Sequence, residues 1–260
     1  MNHYSTETMV KAKKHLGQHF LTDLDIAKKI ADALSDNTET VLEIGPGTGV
    51  LTKFLKEVLN RKLFVAEVDQ ESVDYLLAHK IVGQDYILGD FLKLDIKATF
   101  QGDFAIIGNF PYNISSQIVF KAIDYREQVT EFVGMFQKEV AERIGAGPGS
   151  KTYGIISVLT QAYFEVEYLF TVNEDVFYPP PKVKSGVIRM KRRAKLHLDC
   201  DEVLFKRIVK TSFGMRRKML RKSLKSVFNK PEILSQEIFM KRPEQLSVEE
   251  FVGITNLLGD

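Results

Sequence analysis

The chain has 260 residues, 44% hydrophobic and 27% charged, which excludes a disordered or fibrous protein and allows one full α/β domain plus a small appendage. No apolar run approaches the roughly 20 residues of a membrane helix, the N-terminus lacks an apolar signal core, and the lone Cys200 excludes an internal disulfide or a thiolate metal site, so a cytoplasmic protein that uses no metal is expected. The net charge of +2 conceals an asymmetry, because residues 182–230 hold 17 Lys/Arg against 3 Asp/Glu while the rest holds 19 against 31. Lysine and arginine gain affinity for nucleic acid by displacing the counterions condensed on phosphates, so this block points to a polyanionic partner as against a merely solvated surface.

Along the chain, the first ten or so residues have too little apolar content to require order. Apolar, β-branched runs then recur at 40–45 (TVLEIG), 63–68 (LFVAEV), 86–90 (YILGD), 104–109 (FAIIGN) and 132–136 (FVGMF), separated by helix-like stretches, which predicts a parallel sheet with helical crossovers. The segment 145–151 (GAGPGSK) reads as an exposed loop. After a helical 154–163, the alternating Phe164, Val166, Tyr168, Phe170 and Val172 and the run 185–190 (SGVIRM) predict a closing antiparallel pair, with Pro179, Pro180 and Pro181 between them. The expectation is an α/β, Rossmann-like sheet of seven strands, last pair antiparallel, over residues 1–192, and a small all-helical C-terminal domain over 193–260. In the latter, Met215, Met219, Leu220, Leu224 and Val227 fall near one helical face and are expected to be core, while Ser247 with Glu250 three residues on predicts a capping box.

The ligand of such a sheet is expected over the carboxyl ends of the strands. The first strand there runs into Glu43, Gly45, Gly47 and Gly49. A glycine-rich turn by itself serves several nucleotide cofactors. The GxGxG spacing and the acidic Glu43 favour S-adenosylmethionine, whose sulfonium and amino-acid tail tolerate an acidic lining and which has no phosphates to bind. Glu67, ending the second strand, can accept from both ribose hydroxyls, and Asp90 from the adenine amino group while Phe91 packs on the ring.

The fourth strand delivers Asn109, Phe110, Pro111 and Tyr112. The amino nitrogen of adenine is a poor nucleophile because its lone pair is delocalised into the ring. Acceptors for both amino hydrogens draw it toward tetrahedral geometry and aim the lone pair at a methyl donor. The Asn109 side-chain oxygen and the Phe110 carbonyl, restricted by Pro111, can be those acceptors, and Tyr112 offers a stacking face for a base that has left its helix. The alkylated amine is acidic enough to lose its proton to water, so no strong general base is required.

With residues 13–21 (KKHLGQHFL), 43–49 (EIGPGTG), Glu67, 89–91 (GDF), 109–115 (NFPYNIS), 137–144 (QKEVAERI) and 176–185 (VFYPPPKVKS) in order, the chain resembles the bacterial small-subunit ribosomal RNA adenine dimethyltransferases nearly end to end. The resemblance implies a class I methyltransferase fold in which His19, Leu21, Gly45, Glu67, Asp90 and Asn109 line the cofactor pocket and Phe177 stacks on the flipped adenine opposite Tyr112. It implies transfer of two methyl groups to each of two adjacent adenosines in the 3′-terminal hairpin of small-subunit rRNA, within an immature 30S particle and by a monomer. Two departures are His19, where the family carries asparagine, and Lys184, where an acidic or amide residue is usual. The large-subunit rRNA methyltransferases of the macrolide-resistance type share the NxPY core and are the alternative; the triple proline and the 13–21 run favour the small-subunit enzyme. A nicotinamide oxidoreductase is disfavoured by the glycine spacing, and a purely structural ribosome-assembly factor would use only the basic block.

Overall fold

The computed structural model describes residues 10–35, 39–58 and 62–259; the N-terminal residues read as needing no order lie largely outside them. A short β1 (Phe20–Leu21) leads into α1 (Leu24–Asp32), whose first turn is capped by the Asp23 carboxylate accepting from the Asp25 and Ile26 amides. Then come β2 (Thr40–Ile44), α2 (Val50–Val58), β3 (Lys62–Ala66), α3 (Gln70–Ala78), α4 (Ile96–Thr99), β4 (Phe104–Asn109), α5 (Ser115–Asp124) and β5 (Val129–Gln137). The sheet closes through α6 (Lys138–Gly145), α7 (Ile155–Gln161), β6 (Phe164–Val172), β7 (Phe177–Tyr178) and β8 (Ser185–Arg192).

The main sheet has the order β3-β2-β4-β5-β8-β6, with the first four strands parallel and β8 antiparallel to both its neighbours. The closing pair therefore forms as its alternation predicts. Period-two alternation divides each central strand between two cores. Val41, Ala105, Ile107 and Val133 face α1 and α2, whereas Leu42, Ile106 and Phe132 face α5 and α7.

The expected count of seven strands is corrected to six. Residues 86–90 do not form a strand. A 3-10 turn occupies Gln84–Tyr86, and Ile87 makes only an isolated parallel bridge to Val65, with the Leu88 amide donating to the Val65 carbonyl at 2.8 Å. The chain then leaves the sheet edge, because Gly89 adopts a φ of +67° and the Asp90 carboxylate captures the Leu92 amide at 2.9 Å.

Beyond β8 the chain is helical, in α8 (Glu202–Gly214), α9 (Leu220–Ser223), α10 (Pro231–Leu234) and α11 (Val248–Gly259). Phe205, Ile208, Val209, Phe251 and Ile254 join the same apolar cluster as the sheet face under α5 and α7. The predicted capping box forms, with the Ser247 amide donating to Glu250 Oε2 at 2.8 Å and the Glu250 amide to Ser247 Oγ at 3.2 Å. The Met/Leu stripe is corrected: Leu220 and Leu224 are buried, but Met215 and Met219 are exposed. The helix ends at Gly214, and Arg216 reaches across to the carbonyls of Tyr153 (2.5 Å) and Ser150 (3.1 Å), which turns residues 215–218 away from a continuous helical face. Among the described residues, no helix is long and apolar enough to cross a membrane.

Ser247→Ala is expected to lower the unfolding free energy by about 1 kcal/mol through loss of the cap, read from urea denaturation as a lower midpoint at unchanged m-value.

Candidate active site

The carboxyl ends of β2, β3 and β4 open into a cavity of about 250 Å³, roofed by residues 16–21. Its floor is the glycine-rich turn. Gly47 has a φ of +56°, and a Cβ there would lie 2.8 Å from the Phe20 ring, so any side chain would push the roof off the turn. Of the residues read from the sequence as functional, His19, Leu21, Glu43, Gly45, Gly47, Glu67, Asp90, Asn109, Phe110, Pro111 and Tyr112 line this one cavity. Phe91 and Phe177 do not.

Phe91 is buried in the core with the Lys121 ammonium 5.1 Å over its ring, and Leu92 takes its place on the wall. Phe177 is buried because Leu21 and Phe177 are directly paired in the β1–β7 ribbon, so both side chains share its inner face and pack with α1. The stacking face expected of Phe177 is therefore turned into the core, and the exposed aromatic ring of that ribbon is Tyr178.

Asn109 ends β4 half-buried and donates from Nδ2 to the His19 carbonyl at 2.9 Å. A carbonyl can only accept, so this contact fixes the amide orientation and leaves Oδ1 as the acceptor. The His19 backbone, not its ring, supports Asn109, and the ring lies 2.7 Å from the Pro179 carbonyl through Nδ1, which must carry the proton. The same ring stacks on Tyr112 with centroids 5.4 Å apart, covering one face of that tyrosine. Tyr112 is anchored by a 2.6 Å hydrogen bond between its hydroxyl and that of buried Ser185 on β8. Burial raises its pKa, so it remains a neutral stacking surface at physiological pH.

The carboxylates divide by their partners. Glu67 accepts from the amides of Gly47 (3.1 Å), Val68 (2.9 Å) and Asp69 (2.9 Å); burial raises its pKa, and these three donors oppose the rise. Glu43 is 1% exposed and its Oε2 has no hydrogen-bond partner. Burial pushes the carboxyl up to about 8, and the neighbouring Thr52 hydroxyl opposes this without reaching hydrogen-bond geometry in its own right. A buried carboxyl on the cavity wall with an unused oxygen is suited to a ligand that brings a cation or an N–H donor.

Sequence reasoning misses the strap that holds the roof. Asp69 caps α3 and binds the Lys13 ammonium, Gln18 Nε2 (3.1 Å) and the Ser72 hydroxyl (3.1 Å), and the Lys13 amide donates to Gln18 Oε1 at 2.7 Å. Burial acts against the Asp69 carboxylate, but these partners hold its pKa below the ordinary range. The only sequence signal is an aspartate two residues after Glu67 at a helix start.

Residues 9–259 match the family model of ribosomal RNA adenine dimethylases. The chain belongs to the ribosomal RNA adenine dimethylase family. Within it, the chain is 57% identical over 254 residues to the ribosomal RNA small subunit methyltransferase A of Cytophaga hutchinsonii, covering 96% of this chain and 98% of that protein. It is 59% identical over 251 residues to the protein of the same name from Flavobacterium johnsoniae, covering 95% of each. Among solved structures, a dimethyladenosine transferase from Plasmodium falciparum superimposes with a TM-score of 0.77 over 93% of this chain and 98% of that one at 24% identity, which supports the fold. The 23S rRNA methyltransferase ErmE gives 0.64 over 91% and 99%, at 25% identity. Family membership implies a bound methyl donor and an rRNA substrate.

Because folded Glu43 keeps its proton up to about pH 8 while an unfolded glutamate releases it near 4.5, stability is full below that lower value and falls as pH rises between the two. The displacement corresponds to on the order of 5 kcal/mol. Glu43→Gln should flatten most of this fall, leaving the smaller one from Glu67, as measured by urea unfolding of the ligand-free protein from pH 5 to 8.

Proposed function

We propose that this chain uses S-adenosylmethionine to dimethylate the N6 amino groups of two adjacent adenosines in the 3′-terminal hairpin of small-subunit rRNA. The observation that carries the chemistry is Asn109, held by the His19 carbonyl with its side-chain oxygen free to accept. The small-subunit reading is favoured over the large-subunit alternative by relatives above 50% identity that bear the small-subunit name, against 25% for ErmE.

Glu67 and Asp90 would hold the ribose and adenine of the cofactor, Gly45 and Gly47 would admit its chain against the backbone, and Glu43 would face its positive end. When bound, S-adenosylmethionine supplies a methyl group on a sulfonium sulfur. The remaining work falls to the chain. Asn109 Oδ1 and the Phe110 carbonyl accept the two amino hydrogens of adenine, which localises the nitrogen lone pair and orients it. Tyr112, with one face occupied by His19, presents its other face to the base. The proton lost after N–C bond formation passes to water, which the absence of a required base at Asn109 permits.

The basic segment supports an RNA-holding role for residues 193–260, and the ion pairs narrow which charges serve it. Arg189, Arg192, Arg193, Lys195 and Lys206 each pair with an acidic side chain. Lys210, Arg217, Lys218, Arg221, Lys222 and Lys225 are exposed and make no ion pair among the described residues. We take immature 30S particles to be the substrate and the monomer to be the active form.

Purified protein incubated with labelled S-adenosylmethionine and unmethylated small subunits should label two adjacent adenosines near the rRNA 3′ end; label confined to large-subunit RNA would overturn the assignment. Asn109→Ala should cost on the order of 10²–10³ in kcat, as for loss of one preorganised hydrogen-bonding group, while binding to immature subunits persists. Replacing Arg217, Lys218, Arg221 and Lys222 together by alanine should reduce the slope of log K against log salt by up to about 4, measured by filter binding; an unchanged slope removes them from the interface.

A further inference from the structure

Lys121 lies on α5, the helix that begins three residues after Tyr112, and its ammonium group turns away from solvent toward the loop that carries Asp90. It donates to the carbonyls of Phe91 (2.7 Å), Leu92 (3.1 Å) and Leu94 (2.6 Å). An ammonium has three N–H groups, so this one loop uses all of them. The same charge sits 5.1 Å above the Phe91 ring and 5.7 Å above the Tyr125 ring. No carboxylate forms an ion pair with it among the described residues; burial lowers its pKa, and Asp90 and Asp95 offset that only at a distance.

The remaining bonds of the loop lie mostly within it. It has left the sheet edge after one bridge, and the turn is closed by the Asp90 carboxylate on the Leu92 amide, by the Asp90 carbonyl on the Lys93 and Leu94 amides (3.1 and 3.0 Å) and by a longer bond from the Leu94 amide to the Phe91 carbonyl (3.3 Å). Without the ammonium, the Leu92 and Leu94 carbonyls lose the donor on which they converge, the Phe91 carbonyl keeps only the 3.3 Å bond from the Leu94 amide, and the mutual repulsion of the three favours opening the turn. Asp90 and Leu92, the two cavity-wall residues of this loop, would move with it.

We infer that Lys121 is a positioning residue, which holds residues 90–94 in the shape in which Asp90 reads the amino group of the cofactor's adenine. This rests on the proposed reading that Asp90 accepts from that amino group. One rigid helix thereby sets both halves of the site: its start follows the Asn109–Tyr112 motif, and its second turn fixes the adenine-reading loop.

The test is calorimetric binding by the full chain of two ligands differing only at the purine, S-adenosylhomocysteine and S-inosylhomocysteine, in which an oxo group replaces the amino group. The wild-type protein should prefer the adenine form by roughly tenfold or more, because the oxo group would face a carboxylate oxygen with no donor between them. Lys121→Met should lose most of that preference by weakening the adenine form alone, and Lys121→Arg should restore part of it. Lys121→Gln serves as the neutral variant should Lys121→Met not fold, with melting temperatures recorded for all. Retained preference in the neutral variant, or equal weakening of both ligands, would overturn the assignment of Lys121. Absence of preference in the wild-type protein would instead remove the Asp90 reading, and the role of Lys121 with it.

Discussion

The ring of Phe110 is driven into the core between Phe132 and Phe136, with centroids 5.0 and 5.2 Å away, at a point where Gly134 of β5 leaves the space for it. A Cβ on Gly134 would come within 2.0 Å of that ring, and one on Gly108 within 2.9 Å. Burying an aromatic ring this completely gains more than any single polar contact in the site. The backbone on either side of it is consequently fixed, and that backbone carries Asn109 on one side and the Phe110 carbonyl and Pro111 on the other. Acceptors that must sit within a few tenths of an ångström of a reacting amine are thus positioned by packing.

From this anchor the site extends in two directions, each held by a different kind of interaction. Toward the cofactor end, polar groups are satisfied by backbone: Glu67 by three amides and Asp90 by the Leu92 amide. Glu43 is the exception, with an unpartnered oxygen on the cavity wall, and a buried polar atom without a partner is tolerable where a ligand completes it. Toward the target end, Tyr112 is held by Ser185 below and His19 on one face, so the ring cannot turn and only one face remains for a base.

The roof over both ends is the run around residues 13–21. It is tied at three separate places: to α3 through Lys13 and Gln18 on Asp69, to β4 through the His19 carbonyl on Asn109, and to β7 through the short ribbon and the His19 ring on Pro179. This explains how a histidine is accommodated at position 19. The part of residue 19 that touches Asn109 is its carbonyl, which every amino acid has, while its ring finds a separate partner.

The amino-acid sequence by itself determined the parallel sheet, its antiparallel close, the glycine-rich turn, the Asn109–Tyr112 motif and the capping box, because each is written in local periodicity or in turn and cap chemistry over a few adjacent residues. It also determined that Glu43, Glu67 and Asn109 meet, since strand ends of one parallel sheet converge on the same edge, whereas Asp90 reaches the same cavity from a loop that follows a single isolated bridge. Tertiary structure decided the rest. Whether Phe177 faces the cavity or the core depends on its cross-strand partner Leu21, over 150 residues away in sequence, and whether residues 86–90 pair depends on Gly89 and Asp90 bending the chain off the sheet. Lys121, Asp69 and Ser185 gain their roles from contacts 27 to 73 residues apart, for which a lone lysine, aspartate or serine carries no local signature. The basic block is legible as charge, but which cations remain free for a polyanion is set by the acidic side chains that the fold brings beside the others.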